Sequence, residues 1–237
     1  MKRTLFLIAI AGFPLSGFSE EKATLLFEDQ FERNESDDTR EEIGNGWISN
    51  SAKRAKGNKQ VDLKDGAMHI TFHPEADHAV SVVHPAEFQD GRVTVKFMLP
   101  KKEDSLGLNF ADLQFKEVHA GHLCMMKINT NSVQINDLKT GVMANAIRKA
   151  RQEKTITPAQ QKMLKTKTKH LPNKLEPGKW HDLVVTIKGD TLSVTINGKD
   201  VGAFSSPGIA HPTKRALRVA VPKKAVIDDL KVYSLEK

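Results

Sequence analysis

The chain holds a single cysteine, Cys124, among 237 residues. A lone cysteine cannot close an intramolecular disulfide, so the fold must rest on its apolar core. Cys124 sits inside the apolar run Leu123–Met126 and is expected to be a buried, inert thiol. Aromatic residues are also scarce, with one tyrosine and two tryptophans. That is thin for the stacking surface of a polysaccharide-binding module, and Trp47 and Trp180 are expected to pack in the core or at its rim. Beyond the N-terminus, no apolar run reaches the ~20 residues that span a bilayer. Internal repeats, low-complexity tracts and long linkers are absent, and no cofactor is expected.

The N-terminus reads as a secretory signal. Lys2 and Arg3 precede an apolar stretch from Leu5 to Leu15, and Gly17 and Ser19 stand at the small-residue positions of a cleavage before Glu20. The protein is therefore expected to be exported, periplasmic or extracellular in a bacterial host. Residues 20–237 are read as one domain.

Charge is uneven. The net charge is +7, yet eleven Lys/Arg face two acidic residues between Lys139 and Lys179. The high isoelectric point belongs to that segment and not to the whole chain. An anionic polymer or surface is one partner such a segment could take. Nucleic acid is not expected, because the chain is read as exported and no aromatics alternate with the cations for base stacking.

Strand signals dominate the rest. Val185 and Ile187, then Leu192, Val194 and Ile196, alternate with polar residues, and Gly189-Asp190 and Asn197-Gly198 supply tight turns. Pro177–Phe204 is thus two successive hairpins. Further strands are predicted at 24–31, 67–73, 79–84, 91–99, 106–115, 122–128, 132–138, 215–221 and 226–235. This is an all-β antiparallel sandwich. Residues 142–172 interrupt it with two helices, the second opened by a capping box of Thr157, Pro158 and Gln160 and running to about Lys169.

Four segments carry a resemblance: FEDQF followed by GNGW, EFQDGRVTVKFML, KLEPGKWHDLVVTIKGDTLSVTINGKDVG, and AVIDDLKVYSLE. Together they resemble the concanavalin A-like (laminin-G/jelly-roll) sandwich. Within it they are most similar to the bacterial 3-keto-disaccharide hydrolase, or 3-keto-glucoside lyase-like, domains, over residues 24–140 and 172–237. The resemblance implies a jelly roll acting on carbohydrate. The family's NSGIYLR-like, EVQILD-like and TGAIY-like runs correspond here to LGLNFADLQ, SVQINDLK and TGVMANAIRKARQ, which keep Gln134 and Asp137 in recognisable form. Glycoside hydrolase family 16 shares the sandwich, but its catalytic carboxylates, two residues apart on one strand, have no counterpart.

The densest polar cluster runs from Gly107 to Cys124. Leu106, Leu108 and Phe110 should face the core, leaving Gly107, Asn109 and Ala111 on the other face, where small and amide side chains suit a sugar. Asp112, His119 and His122 lie at the strand ends and are the candidate catalytic residues, an Asp beside a His being able to orient it. His84, Asn109, Lys127, Gln134 and Asp137 are the candidate substrate-binding residues. A plain turn around Ala120-Gly121 is the competing explanation of the histidines. Joint metal ligation by His119 and His122 would need a bulge there, and no metal is assigned. Two functions stand open: a glycoside-cleaving enzyme, or a non-catalytic carbohydrate-binding or envelope protein.

Overall fold

The double hairpin forms as its alternation requires. In the computed structural model, which describes residues 22–236, Leu183, Val185 and Ile187 point inward opposite Ile196, Val194 and Leu192. Asn197 and Gly198 both take positive φ, at 51° and 73°, the conformation a two-residue turn between right-twisted strands demands. The residues read as a secretory signal lie outside those described.

In chain order the elements are β1 Ala23–Asp29, β2 Ile48–Ser49, α1 Ser51–Arg54, β3 Val61–Lys64, β4 Ala67–Thr71, β5 Val80–Phe88, β6 Gly91–Met98, β7 Ser105–Ala111, β8 His122–Asn129, β9 Ser132–Asp137, α2 Asn145–Gln152, α3 Pro158–Lys165, β10 Thr168–Pro172, β11 Trp180–Lys188, β12 Thr191–Ile196, β13 Lys199–Ser205, β14 Lys214–Val221 and β15 Lys224–Leu235. Sheet one runs β13-β12-β11-β6-β15-β4-β3, with β1 also paired to β15. Sheet two runs β10-β9-β8-β7-β14-β5-β2. Pairing is antiparallel throughout these strands.

The core lies between the sheets. Leu106, Leu108 and Phe110 of β7, Cys124, Met126 and Ile128 of β8, and Leu217, Val219 and Val221 of β14 face the inner residues of β6, β11 and β12, all essentially buried. Each such side chain contributes about 1.5–3 kcal/mol on leaving water. Cys124 is fully buried, and burial pushes its thiol up to about 12, so it is inert as expected. Trp47 packs in the core, whereas Trp180 is 46% exposed on sheet one.

Two helical features depart from the sequence pattern. The capping box at Thr157 and Gln160 forms, but α3 ends at Lys165 and Thr168–Pro172 becomes an edge strand against β9. Ladder bonds to β9 outweigh the helix preference of a few lysines there. The short β2, α1 and β3 carry too few residues to show a period.

FEDQF and GNGW meet at a buried carboxylate. Asp29 accepts from Phe31 N at 2.8 Å, from both Arg33 Nη atoms at 2.7 and 2.9 Å, from Asn45 Nδ2 at 3.0 Å and from Trp47 Nε1 at 2.9 Å. Burial alone would push this carboxyl up, but these donors outweigh it and leave it below its ordinary value. A depressed carboxylate stabilises the fold above its unfolded pKa, and that contribution disappears as pH falls through the folded value. Asp29→Ala is therefore expected to cost about 3 kcal/mol at neutral pH, since it strands the buried indole N–H and guanidinium. Urea titrations at pH 7 and in the window below 3.8, the ordinary Asp value, should show the variant's deficit shrinking in acid; an equal deficit at both would refute the assignment.

Candidate functional site

Sheet two turns a polar face away from the core, and its register lays that face out in rows. One row runs Ile48, Val83, Arg218, Asn109, Met125, Asn136, Thr168. The next runs Ser81, Ala220, Gly107, Lys127, Gln134, His170. On the other side Pro85, Ala216, Ala111 and His122 stand abreast. No Asp or Glu occupies these rows, so they hold no pair of carboxylates of the kind retaining glycoside hydrolysis uses.

His122 reaches the face through a break in the ladder. The 3-10 turn His119–Gly121 puts Ala120 at φ 50° and Gly121 at φ 69°, and the β7–β8 register shifts between Phe110 and Ala111. A Cβ at Gly121 would collide with the Asp112 carbonyl, so only glycine fits. A bulge is therefore present beside the turn, and it swings His122 onto the row of Ala111.

There His122 Nδ1 lies 3.0 Å from Asn109 Oδ1. With the amide so oriented, Nδ1 carries the proton and donates it, which leaves Nε2 as the acceptor of the ring. Arg218 covers the ring, with Nη1 3.3 Å from Nδ1 and 3.5 Å from Nε2, and is anchored by Nη2 donating to Ala120 O at 2.8 Å. Burial, then the Arg218 charge and the neighbouring His119 and His78, hold the His122 imidazole at about 4. His122 is thus neutral at physiological pH, a proton acceptor beside a fixed cation. His119 stands at the edge, its ring 6.4 Å from that of His122, and it too is lowered, by burial and by Arg148, Arg218 and Arg54. Asn109 Nδ2 is buried with no hydrogen-bond partner.

A second polar group closes one end of the face. Asp112 Oδ2 faces His211 Nε2 at 3.4 Å, Oδ1 faces Arg215 Nε at 3.3 Å and accepts from Gln114 N at 2.8 Å, and Arg215 also pairs with Glu87. His211 packs on Phe115 with ring centroids 4.7 Å apart. Burial and the Lys139 charge lower its pKa despite Asp112. Asp112 is thus 5% exposed and orients His211, a loop residue, and not His119 or His122.

The structure brings Asn109, His119, His122, Lys127 and Gln134 to one face. His84 and Asp137, expected to bind substrate, are not on it. His84 points inward, stacked on Phe27 with centroids 3.4 Å apart and edge-on to Trp47. Asp137 is 1% exposed and ties loops together, accepting from Thr140, from Ser206 Oγ at 2.5 Å and from Gly208 N at 3.0 Å. Gln134 donates to Asn136 at 2.7 Å, which also accepts from Thr168 at 3.0 Å. Arg218 is the residue the sequence reading passed over. Its signal was a charged residue in mid-strand between Leu217 and Val219. No cluster of three or more His, Cys, Asp or Glu suited to a metal occurs among the described residues. A separate cleft of about 610 Å³ opens on sheet one beside Glu35, Lys59 and Asp62, whose charges pair with one another.

Solved structures place this fold among concanavalin A-like jelly rolls. The laminarinase from Rhodothermus marinus superposes with TM-score 0.60 at 11% identity, covering 92% of this chain and all (100%) of that one. Porphyranase B from Zobellia galactanivorans gives 0.58 at 10%, covering 92% and 95%. The carbohydrate-binding module CBM66 from Bacillus subtilis gives 0.53 at 9%, covering 83% and 98%. At these identities the likeness is one of fold. The sequence itself matches the 3-keto-alpha-glucoside-1,2-lyase-like domain over residues 37–227, and the chain belongs to that family. A comparison with curated proteins returns no match.

An NMR titration of the imidazole carbons tests the environment of His122. Its resonance should stay in the neutral form from pH 8 to pH 5 and move with a midpoint near 4. Arg218→Ala removes a cation and should raise that midpoint; a wild-type midpoint at the ordinary 6.5 would contradict the geometry.

Proposed function

We propose that this protein is an exported carbohydrate-active enzyme that cleaves 3-keto-glucosides by elimination across C1 and C2, with His122 as base. The observation that carries this reading is the Asn109–His122–Arg218 arrangement on the outer face of sheet two. Family membership supports the substrate class.

A ketone at C3 acidifies the C2 hydrogen, because the electron pair left behind delocalises as an enolate. His122 Nε2 takes that proton, its tautomer held by Asn109. The Arg218 guanidinium, charged at any working pH, faces the developing enolate oxygen and stabilises it before any solvent reorganises. The pair then forms the C1=C2 bond and expels the glycosidic oxygen, which recovers the proton from the His122 imidazolium. The products are an unsaturated keto-sugar and an alcohol, and His122 is again neutral. No carboxylate is needed, consistent with the rows of the face. Gln134 and Lys127 lie one row over, placed to hold sugar hydroxyls.

Residues 20–237, incubated with a 3-keto-α-glucoside carrying a chromogenic aglycone, should release it. His122→Ala should lower kcat/KM by roughly 10²–10⁴-fold, the usual worth of a positioned base. Arg218→Met should lower kcat by about 10²–10³-fold, as loss of one preorganised donor does. Because the base must be neutral, kcat/KM should rise through pH about 4 and stay level above it. Saturable sugar binding with no aglycone released would replace this reading with that of a binding protein, which the carboxylate-free rows would equally suit.

A further inference from the structure

Three elements bring one arginine each within electrostatic reach of His119, and Arg218 also bonds to the His119 turn at Ala120 O. Arg218 comes from the middle of β14, and Arg54 ends α1, which packs beside β5. Arg148 stands in the first turn of α2, which is docked on the His119 turn. That docking is specific: Asn145 N donates to Glu117 O at 3.0 Å, His119 N donates to Met143 O at 2.8 Å, and Asn145 Nδ2 donates to Lys116 O at 2.7 Å. α2 has no acidic residue in its first turn, so its positive end adds to the arginines uncompensated.

The charge is poorly neutralised. Arg54 meets Asp77 at 3.3 Å at the exposed surface. Arg148 reaches only the neutral Gln152, at 3.5 Å. Arg218 donates to a backbone carbonyl and, at 3.5 Å, to Nε2 of a neutral imidazole. Other histidines differ: His211 feels Asp112, His84 feels Asp29, and His69 feels Asp62 and Asp65. The charged groups acting on His119 and His122 are all basic. The buried Asn109 Nδ2 adds a donor without an acceptor in the same cluster. Folding a chain around like charges costs free energy unless a ligand answers them.

We propose that the sugar taken at this face carries an oxyanion, a carboxylate or a sulfate ester, seated among Arg54, Arg148 and Arg218 beside His119. This rests on the outer face of sheet two as the sugar site and names the class of glycan it accepts. The cationic segment from Lys139 to Lys179, which leaves sheet two after β9 and returns as β10, begins beside the His119 turn. It extends the positive field along a polymer.

Isothermal titration with oligogalacturonate, a sulfated galactan oligosaccharide, maltotetraose and a DNA duplex tests the proposal. One of the two anionic sugars is expected to bind at least about tenfold more tightly than maltotetraose, an affinity step one well-placed charge can supply. That affinity should fall as salt is raised. Which sugar wins tells carboxylate from sulfate. The pair Arg54→Ala/Arg148→Ala should weaken anionic binding about tenfold or more, while cleavage of a neutral 3-keto-glucoside is unchanged. Lys162→Glu/Lys165→Glu on α3 should leave anionic binding within a few-fold. Equal affinity for maltotetraose, tighter binding of the duplex, or an unaltered Arg54/Arg148 variant would overturn the proposal. Oxyanion-dependent binding without turnover of any glycoside would uphold it and sink the lyase reading alone.

Discussion

The two-residue alternation of β14 binds core and site together. Leu217 and Val219 enter the apolar layer between the sheets, and the residue between them must therefore point out. That residue is Arg218. Its position abreast of Asn109 and Val83 is set by the same ladder bonds that seat Leu217 beside Phe110 and His84. A slip of one residue would bury the guanidinium and expose the leucine, so the core enforces the geometry of the cation. The same side chain lies against the imidazole that Asn109 orients, with Nη1 3.5 Å from Nε2.

Buried carboxylates do structural work in each of the two sheets, at the ends of β1 and β9. Asp29 gathers Arg33, Asn45 and Trp47, and so folds the irregular segment after β1 back onto the core. Asp137 joins the turn after β9 to the loop before β14, and donors outweigh its burial to keep its carboxyl below the ordinary value. The open face, by contrast, keeps its rows free of carboxylates. These anions serve as scaffolding, and the outer rows carry imidazole, amide and guanidinium groups instead.

Most of the architecture was legible because the strands are long enough to show their period. Pro177–Phe204, the strand at Gly91–Met98 and the capping box at Thr157 appear as read. The site was partly legible for the same reason, since Asn109, Lys127 and Gln134 are out of phase with their buried neighbours. His84 and Asp137 are in phase with theirs: Val80, Val82 and His84 alternate on one side of β5, and Val133, Ile135 and Asp137 on one side of β9. Phase alone would have placed both inside. Arg54 and Arg148 were not legible as site residues. Their approach to His119 depends on where α1 and α2 dock, which tertiary contacts decide and local pattern does not.

The pairing of β1 with β15 sets Ala23 against Leu235 and Asp29 against Leu230. These strands are the first and last of those described, so sheet one closes only across nearly the whole described chain. Until β15 is available, β1 has no neighbour in the sheet and β6 lacks one of its two. Loop closure over such a span is paid before its contacts return anything, which makes this step slow compared with forming the hairpins. During that interval the β11–β12–β13 meander can already be paired while the apolar edge of β6 waits. The kinetic weak point of the molecule is thus the late arrival of one twelve-residue strand of sheet one, on the sheet opposite the His122 cluster.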